Sequence, residues 1–340
     1  MSIKNQVILI FGGTGSLGKT LIRRFSKDNE LIIFSRDEAK HWTIKNELRN
    51  QKNIKFVIGD VRDQSRINKV MLEFNPSIVI VASALKQVDT CEKTPLESIK
   101  TNILGVNNVV DSTILHSNRL KKLKSVLLVS TDKACSPTNV YGMSKALAER
   151  LVVSAYNENK NIKYMAVRYG NVLESRGSIV PLFRFQSEFK KYLTVTHPDM
   201  TRFIMTLDES VDLIVSTLKK ADSGEVWLPK LKAMKIIDLA KIFSDRYSKP
   251  IKITGIRPGE KLHEDLISTS ESMRVRVEGR IYKMRSTLED VISNKKMFSY
   301  SSDQDLISKD DLFRYLKSIK VFEKSLNEFT GKTINEIRTS

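Results

Sequence analysis

Five polar side chains in one short stretch of the chain have the types that proton and hydride chemistry on an alcohol requires. Thr131, Asp132 and Lys133 follow an apolar run, and Tyr141 and Lys145 come shortly afterwards. The last two share one face of a helix at the i, i+4 spacing. Because a nearby ammonium favours the phenolate, the spacing predicts a lowered pKa for Tyr141, which would act as a base.

The i, i+4 spacing alone carries little information, since Tyr156 and Lys160 share it far from any predicted strand end. We interpret that second pair as surface residues. Tyr141 differs because it follows the fifth predicted strand. It therefore faces the crevice at the switch point of an open α/β sheet, where such sheets bind their ligands.

A glycine series follows the first apolar run and leads directly into a helical pattern. Gly12, Gly15 and Gly18 allow a tight turn, a close approach of the backbone to a pyrophosphate, and close packing of the helix on the sheet. The helix N-terminus then offers N–H groups to the phosphates. The pattern predicts a dinucleotide site formed by Gly12, Thr14, Gly15, Ser16, Leu17 and Gly18.

The ends of the second, third and fourth strands extend this site. Ser35 and Arg36 end the second strand, and an arginine there suits a 2′-phosphate, so we predict NADP rather than NAD. The alternative is an exposed Arg36 paired with Asp37 or Glu38. Asp60 could accept a hydrogen bond from an adenine amino group or cap the next helix. The remaining predicted cofactor contacts are Val61, Ala82, Lys86, Tyr141 and Lys145.

Alternating strand-like and helix-like segments run through the first half of the chain. Such alternation indicates right-handed crossovers and a doubly wound parallel sheet. The predicted strands are Gln6–Phe11, Glu30–Phe34, Ile54–Ile58, Ser77–Ala82, Ser125–Ser130 and Tyr164–Val167. The predicted helices are Leu17–Ser26, Arg62–Phe74, Leu96–His116 and Val140–Tyr156.

The second half of the chain is less regular and indicates a smaller lobe. Prolines interrupt it, and one helix, Leu207–Lys220, is expected to return to the first lobe. We predict a dinucleotide-binding domain over residues 1–175. Residues 176–340 are expected to form mainly a substrate-binding lobe and a C-terminal tail.

Composition excludes several classes of protein. The 340 residues carry 57 Lys+Arg and 39 Asp+Glu, a net charge of +18, but the two signs are interspersed and indicate solvated faces. Cys91 and Cys135 are too few for a disulfide framework or a zinc site, and we interpret them, with His41, as structural or surface residues. No apolar run reaches the ~20 residues that span a bilayer. We expect a cytoplasmic protein with no metal, no nucleic-acid partner and no membrane insertion.

Several short strings, in order, resemble one family. They are Ser35-Arg36-Asp37-Glu38, Gly59-Asp60-Val61-Arg62-Asp63, Ala84-Leu85-Lys86-Gln87-Val88, Lys100-Thr101-Asn102-Ile103-Leu104-Gly105, Ser130-Thr131-Asp132-Lys133-Ala134, Arg168-Tyr169-Gly170-Asn171-Val172, Ser175-Arg176-Gly177-Ser178, Met200-Thr201-Arg202-Phe203 and Arg257-Pro258-Gly259-Glu260-Lys261-Leu262-His263-Glu264. Jointly they resemble the inverting UDP-N-acetylglucosamine 4,6-dehydratases of bacterial surface-glycan synthesis, within the extended short-chain dehydrogenase/reductase superfamily. Ser83 departs from the alanine usual there.

The resemblance implies a Rossmann fold and a dehydration of UDP-N-acetylglucosamine. Tyr141 would take the C4 hydroxyl proton as hydride passes to NADP⁺, and Thr131 would hydrogen-bond the C4 oxygen. Lys133 would remove the C5 proton and Asp132 would protonate the leaving C6 hydroxyl, after which hydride returns to C6. The resemblance also implies a homo-oligomer. The implied substrate contacts are Lys86, Thr131, Asn171, Arg176, Arg202, Arg257 and Glu260.

Two other functions stay open from the sequence. A UDP-sugar 4-epimerase needs the same fold and tyrosine but no acid at C6, so the Asp132–Lys133 pair argues against it. A cofactor-binding regulator that had lost catalysis would show a damaged tyrosine and lysine, whereas Tyr141 and Lys145 are intact.

Overall fold

A computed structural model describes residues 3–175, 177–286 and 296–323. The strands are β1 (Val7–Phe11), β2 (Glu30–Ser35), β3 (Ile54–Ile58), β4 (Ile78–Val81), β5 (Ser125–Val129), β6 (Lys163–Val167), β7 (Asn171–Val172), β8 (Leu193–Val195), β9 (Thr201–Met205), β10 (Val226–Pro229), β11 (Ala233–Lys235), β12 (Ile251–Ile253), β13 (Asp265–Ile267), β14 (Val275–Glu278), β15 (Ile281–Met284) and β16 (Tyr300–Ser301).

The helices follow the same chain order. They are α1 (Ser16–Phe25), α2 (Glu38–Glu47), α3 (Gln64–Phe74), α4 (Val88–Lys93), α5 (Pro95–Ser98), α6 (Gly105–Leu115), α7 (Val140–Ser154), α8 (Ile179–Phe189), α9 (Leu207–Lys220), α10 (Ile236–Tyr247), α11 (Thr269–Ser272) and α12 (Lys309–Ser318). No helix in the described ranges is long and apolar enough to cross a membrane.

One large sheet carries the fold. Its strand order is β14-β15-β10-β6-β5-β4-β1-β2-β3. Within this order, the seven neighbouring strands that begin with β10 and end with β3 are parallel. The central strands are apolar on both faces because helices cover both sides, and residues 8–11 and 78–81 are buried throughout. The α/β class and the doubly wound parallel sheet are therefore confirmed. The hairpin β14–β15 joins antiparallel to β10, which the sequence did not predict.

A second apolar core lies outside this sheet. Phe183 of α8 packs edge-on against Phe243 of α10, with ring centroids 5.8 Å apart, and Leu312 of α12 belongs to the same cluster. Helix α9 has the predicted bounds and contacts α1 and β6 of the first core. The division of the chain at residue 175 stays a prediction.

The helix predicted over residues 96–116 is wrong as a single helix. The chain forms the short α5, then a π-helical segment Ile99–Leu104, and only then α6. The buried Asn102 sits in the π-helical segment, where its side chain turns away from the helix to bond Leu85 and Ser144. π-Helical turns are rare and frequently occur at functional sites.

Candidate active site

A cavity of about 510 Å³ opens at the carboxyl ends of β1, β2, β4 and β5. All of the residues predicted to bind the cofactor line it: Gly12, Thr14, Gly15, Ser16, Leu17, Gly18, Ser35, Arg36, Asp60, Val61, Ala82, Lys86, Tyr141 and Lys145. Thr131 lines it as well. Further residues line the cavity that no motif or spacing in the sequence indicates, including Phe34, Ser83, Thr101, Tyr169 and Leu207.

The glycines of the first loop have different geometric roles. Gly12 has φ +79°, and a Cβ there would lie 2.7 Å from the Cα of Ser83, so the backbones of the loop and of the segment after β4 are in contact. A Cβ on Gly18 would lie 2.2 Å from the Gly13 oxygen, which shows close helix packing. A Cβ on Gly15 would meet only the Gly12 oxygen, at 3.5 Å, and would otherwise extend into open space.

The N-terminus of α1 is suited to an anion. Gly15 caps the helix without any side-chain hydrogen bond, and the first turn contains no acidic residue. The first-turn N–H groups and the positive end of the helix dipole therefore face the cavity. Beside them Thr14 Oγ1 lies 2.8 Å from Ser35 Oγ, which ties the loop to the end of β2. These residues fit a pyrophosphate, as a dinucleotide requires.

Arg36 and Asp60 lie together at the far end of the cavity. Arg36 is largely exposed, and its Nη1 lies 3.8 Å from Asp60 Oδ2. Asp60 accepts hydrogen bonds from the Arg62 guanidinium at 2.7 and 3.0 Å and from its backbone N–H. The capping interpretation of Asp60 is wrong, because Asp63 caps α3.

Tyr141 stands in the first turn of α7. Asn139 caps this helix by accepting from the Gly142 N–H at 2.8 Å, and a Cβ on Gly142 would clash with the Lys133 carbonyl oxygen. The helix start is therefore pressed against the 3₁₀ turn that follows β5. Tyr141 is thus held beside Thr131 and Lys133. The Thr131 hydrogen bond and the Lys133 charge each act to lower the pKa of Tyr141.

The prediction that the pKa of Tyr141 is lowered is wrong. Burial raises the pKa of Tyr141 to about 12, and Lys133, not Lys145, is the cation that partly offsets this rise. Lys145 Nζ instead donates to the Val129 carbonyl oxygen at 2.7 Å. Burial lowers the pKa of Lys145 to about 8, although the Glu149 carboxylate opposes that change.

Asp132 and Lys133 form an ion pair next to the cavity. Lys133 Nζ donates to Asp132 Oδ1 at 3.0 Å, and Thr131 Oγ1 donates to the same oxygen at 2.9 Å. Asp132 is fully buried, and its Oδ2 has no hydrogen-bond partner among the described residues. Burial alone would lower the pKa of Lys133, but the carboxylates of Asp132 and Glu264 outweigh burial and raise it.

Glu264 is a site residue to which the sequence analysis gave no role. Its Oε1 lies 3.2 Å from Lys133 Nζ and 3.8 Å from Arg202 Nε, and its side chain is 3 % exposed. It sits immediately before β13, far along the chain from Lys133. The string that contains it was noticed, but no local pattern indicates which distant side chain it faces.

The predicted substrate residues lie in several separate places. Asn171 Oδ1 accepts from Lys133 Nζ at 3.5 Å, and Lys86 lines the cavity. Arg202 is buried and donates to the backbone carbonyls of Thr201, Leu262 and Lys261, whereas no contact with the cavity is seen. Arg176 lies outside the described residues.

Arg257 and Glu260 lie on the loop that precedes β13. Arg257 Nη2 donates to Glu260 Oε1 at 2.5 Å, and its Nη1 lies 3.6 Å from Asp89. The loop is attached to the start of α7, because Asn139 Nδ2 donates to the Gly259 carbonyl oxygen at 2.8 Å. The two residues are therefore close to α7 but do not line the cavity.

A buried ionic cluster lies behind α7. Arg168 donates to both oxygens of Glu149 and both of Glu271, at 2.6–3.0 Å, and to the Leu266 carbonyl oxygen. Cys135 Sγ donates to Glu271 at 3.2 Å, and burial raises the pKa of this thiol. The cluster joins the end of β6, α7 and α11. Cys135, Cys91 and His41 are all buried, so the surface interpretation of these residues is wrong.

Comparison with known proteins gives consistent similarities. Residues 8–286 match the family model described as polysaccharide biosynthesis protein. The chain is 43% identical, over 78% of each chain, to a UDP-N-acetylglucosamine 4,6-dehydratase (inverting) from Campylobacter jejuni. It is 41% identical, over 82% of this chain and 83% of the relative, to a UDP-glucose 4-epimerase from Rickettsia bellii. The solved structure of Pen from Bacillus thuringiensis is 33% identical and superposes with a TM-score of 0.87 over 95% of this chain and 100% of that one.

Proposed function

The chain belongs to the polysaccharide biosynthesis protein family of the extended short-chain dehydrogenase/reductases, and from that premise we propose that it is an NADP-dependent UDP-N-acetylglucosamine 4,6-dehydratase. Its product would be a UDP-2-acetamido-2,6-dideoxy-4-keto-hexose, formed with inversion at C5, for a surface polysaccharide or glycan. The observation that carries this proposal is the Asp132–Lys133 ion pair beside Tyr141. Tyr141 and the preceding Thr131 line the cavity, whereas Asp132 and Lys133 lie behind that lining.

The cavity residues would hold the dinucleotide. The glycine loop and the N-terminus of α1 fit the pyrophosphate, and Arg36 fits a 2′-phosphate. A bound nicotinamide would supply the hydride acceptor at C4 and the hydride donor at C6. The preference for NADP is tested by titration of both dinucleotides. Arg36→Ala should weaken NADP binding more than NAD binding, and equal losses would refute the role of Arg36.

Tyr141 would handle the proton of the C4 hydroxyl. Its phenolic oxygen accepts that proton as the C4–H bond breaks, so the tyrosine must first be ionised. Because burial raises its pKa to about 12, only a small fraction is phenolate at neutral pH, and the Lys133 charge and the Thr131 hydrogen bond both favour that fraction. Thr131 would also hydrogen-bond the C4 oxygen of the substrate.

Asp132 and Lys133 would then perform the elimination. Their resting ion pair becomes an amine and a carboxylic acid when one proton moves from Nζ to Oδ1 along their 3.0 Å hydrogen bond. The amine of Lys133 can then take the C5 proton, which a neighbouring 4-ketone acidifies. Asp132 gives its proton to the C6 hydroxyl, which leaves as water, so the pair ends with the protonation it began with. Once hydride has been returned to C6, C5 would take a proton from solvent, and Tyr141 would release to solvent the proton that it accepted from the C4 hydroxyl.

Incubation with UDP-N-acetylglucosamine in deuterated water, followed by NMR of the product, tests the proposal. We expect a 6-deoxy-4-keto sugar that carries deuterium at C5. The signals of the C5 position also report its configuration. An unchanged C6 primary alcohol after incubation with the dinucleotide-loaded enzyme would contradict dehydration.

A UDP-sugar 4-epimerase is the second candidate, supported by the similarity to the epimerase of Rickettsia bellii. Epimerisation uses the same tyrosine but needs neither an acid at C6 nor a base at C5. UDP-N-acetylgalactosamine as the sole product would favour it.

Strongly salt-dependent DNA binding without turnover would instead favour the cofactor-binding regulator. The homo-oligomeric state stays a prediction, which sedimentation would test.

A further inference from the structure

Glu264 has no part in the reaction proposed above, yet it occupies the other side of Lys133. Lys133 Nζ lies between Asp132 Oδ1, at 3.0 Å, and Glu264 Oε1, at 3.2 Å. The Glu264 side chain is 3 % exposed, and its Oε2 has no hydrogen-bond partner among the described residues. A buried carboxylate carries a large cost unless nearby cations stabilise its charge.

The backbone around Glu264 is held rigidly. Its N–H donates to Ser302 Oγ at 2.9 Å, and its carbonyl oxygen accepts from the Ser302 N–H, also at 2.9 Å. These bonds extend the pairing of β13 with β16. The carboxylate is therefore aimed at Lys133 by a strand pair that lies outside the dinucleotide-binding sheet.

The charges around Lys133 balance. The groups that face it from its own turn and from the elements packed against it are Asp132, Tyr141 of α7, Asn171 of β7, Arg202 of β9 and Glu264. Two carboxylates oppose two cations, and Tyr141 and Asn171 are uncharged in this arrangement. If Lys133 became neutral while Asp132 took its proton, Glu264 would still have Arg202 at 3.8 Å.

We propose that Glu264 is a positioning residue for the elimination: it holds the Lys133 ammonium against Asp132 and, opposed by Arg202, sets how readily Lys133 releases its proton. The proposal rests on the dehydratase function for its catalytic meaning. Its physical content, the influence of two named charges on one amine, can be measured without turnover.

The two charges act on Lys133 in opposite directions. The Glu264 carboxylate at 3.2 Å stabilises the ammonium form, and the Arg202 guanidinium, 3.8 Å from the same carboxylate oxygen, destabilises it. Removing the negative charge should therefore increase the fraction of neutral amine at a given pH. Removing the positive charge should decrease it.

Acylation of the free protein by a small anhydride, followed by mass spectrometry of the peptide that contains Lys133, measures that fraction. Only the neutral amine reacts. Glu264→Gln should increase the acylation rate of Lys133 about tenfold at a fixed pH, as a pKa lowered by about one unit requires. Arg202→Gln should decrease it by a similar factor. Glu264→Asp, which keeps the charge, should restore a rate near that of the wild type.

Asp265→Asn is the matched control. Asp265 follows Glu264 in the chain, but its carboxylate pairs with Lys261 at 3.3 Å, so its removal should leave the rate for Lys133 unchanged. Equal rates in Glu264→Gln and the wild type would overturn the proposal, as would a slower rate. If Glu264→Gln does not fold, the opposite effect of Arg202→Gln decides: no decrease overturns the proposal.

Turnover distinguishes this inference from the function on which it rests. If the wild type forms no 6-deoxy-4-keto sugar but the acylation rates change as expected, the dehydratase proposal fails and the charge relationship stands. If the wild type turns over and the acylation rates are all equal, the inference alone fails. Where both hold, the alkaline limb of the product-formation profile should move to lower pH in Glu264→Gln.

Discussion

Lys133 Nζ and Asp132 Oδ1 lie 3.0 Å apart, so the two groups with the types needed for an elimination rest as an ion pair. They are consecutive residues in a 3₁₀ turn, and the Thr131 side chain accepts from the Lys133 N–H at the start of that turn. The turn directs both side chains to the same side. One proton transfer separates this resting pair from the acid and the base that elimination requires.

Asp132→Asn should stop dehydration without preventing substrate binding. An amide cannot give a proton to the leaving hydroxyl, so product formation should fall by at least about 100-fold. NMR of the product measures the loss, and titration with UDP-N-acetylglucosamine measures binding. The Asp245→Asn variant is the control, because the Asp245 carboxylate is exposed and pairs with Lys309 on the surface. Near-normal turnover in Asp132→Asn would remove Asp132 from the mechanism.

Tyr141→Phe should abolish reduction of the bound dinucleotide. The ring remains in the first turn of α7, so thermal unfolding should stay close to that of the wild type, but no group remains to accept the C4 proton. Near-ultraviolet absorbance of the reduced nicotinamide follows the step directly, and we expect a loss of about 100-fold or more. Tyr156→Phe, at the other tyrosine with a lysine four residues later, is the control. Persistent reduction in Tyr141→Phe would show that another base acts.

Gly15→Ala and Gly12→Ala should fail in different ways. Alanine at position 15 meets only one atom, at 3.5 Å, so the protein should fold normally but lose affinity for the dinucleotide because the methyl group occupies the pyrophosphate side of the loop. Alanine at position 12 is strained by φ +79° and collides with the Ser83 backbone, so its unfolding temperature should fall. Thermal unfolding and dinucleotide titration separate the two effects, and equal affinity in Gly15→Ala would contradict the placement of the pyrophosphate.

Acid should destabilise the protein partly through Glu271. Burial raises the pKa of Glu271, but the Arg168 guanidinium outweighs it and lowers the pKa from 4.5 to about 2. A lowered folded-state pKa stabilises the protein above about pH 4.5, and this contribution, on the order of 3 kcal/mol, is lost as the pH falls towards 2.

Glu271→Gln should therefore show a lower free energy of unfolding at pH 7 and a weaker dependence on pH between about 4.5 and 2. Urea unfolding at a series of pH values measures both. Glu188→Gln removes an exposed carboxylate on α8, and its pH dependence should follow that of the wild type. A Glu271→Gln variant with the same pH dependence as the wild type would show that the ion pair does not contribute.

The sequence was sufficient for the first six strands and for the dinucleotide loop. Runs such as residues 7–11 are apolar on both faces, which is a local property of a covered parallel strand. The glycines of the loop and the residue types at the following strand ends can likewise be recognised from short segments of sequence. Because parallel strands end at one edge of a sheet, these local signals were enough to assemble the lining of the cavity.

Contacts between distant segments could not be predicted in this way. The π-helical segment depends on the bonds of Asn102 to Leu85 and Ser144, and helical periodicity does not report such bonds. Glu264 reaches Lys133 only because β13 pairs with β16. The direction of the Tyr141 pKa was wrong for a related reason, since burial comes from the whole fold and the i, i+4 spacing does not measure it.

Asn139 links two parts of the site. Its Oδ1 accepts from the Gly142 N–H at the start of the helix of Tyr141, and its Nδ2 donates to the Gly259 carbonyl oxygen in the loop of Arg257 and Glu260. A displacement of that loop would therefore also displace the residue that caps the helix of Tyr141. If the nucleotide end of the sugar donor binds there, its binding energy can help to align the reacting alcohol. A free hexose without its nucleotide should then react slowly even at saturation, because it cannot contact the loop that is bonded to Asn139.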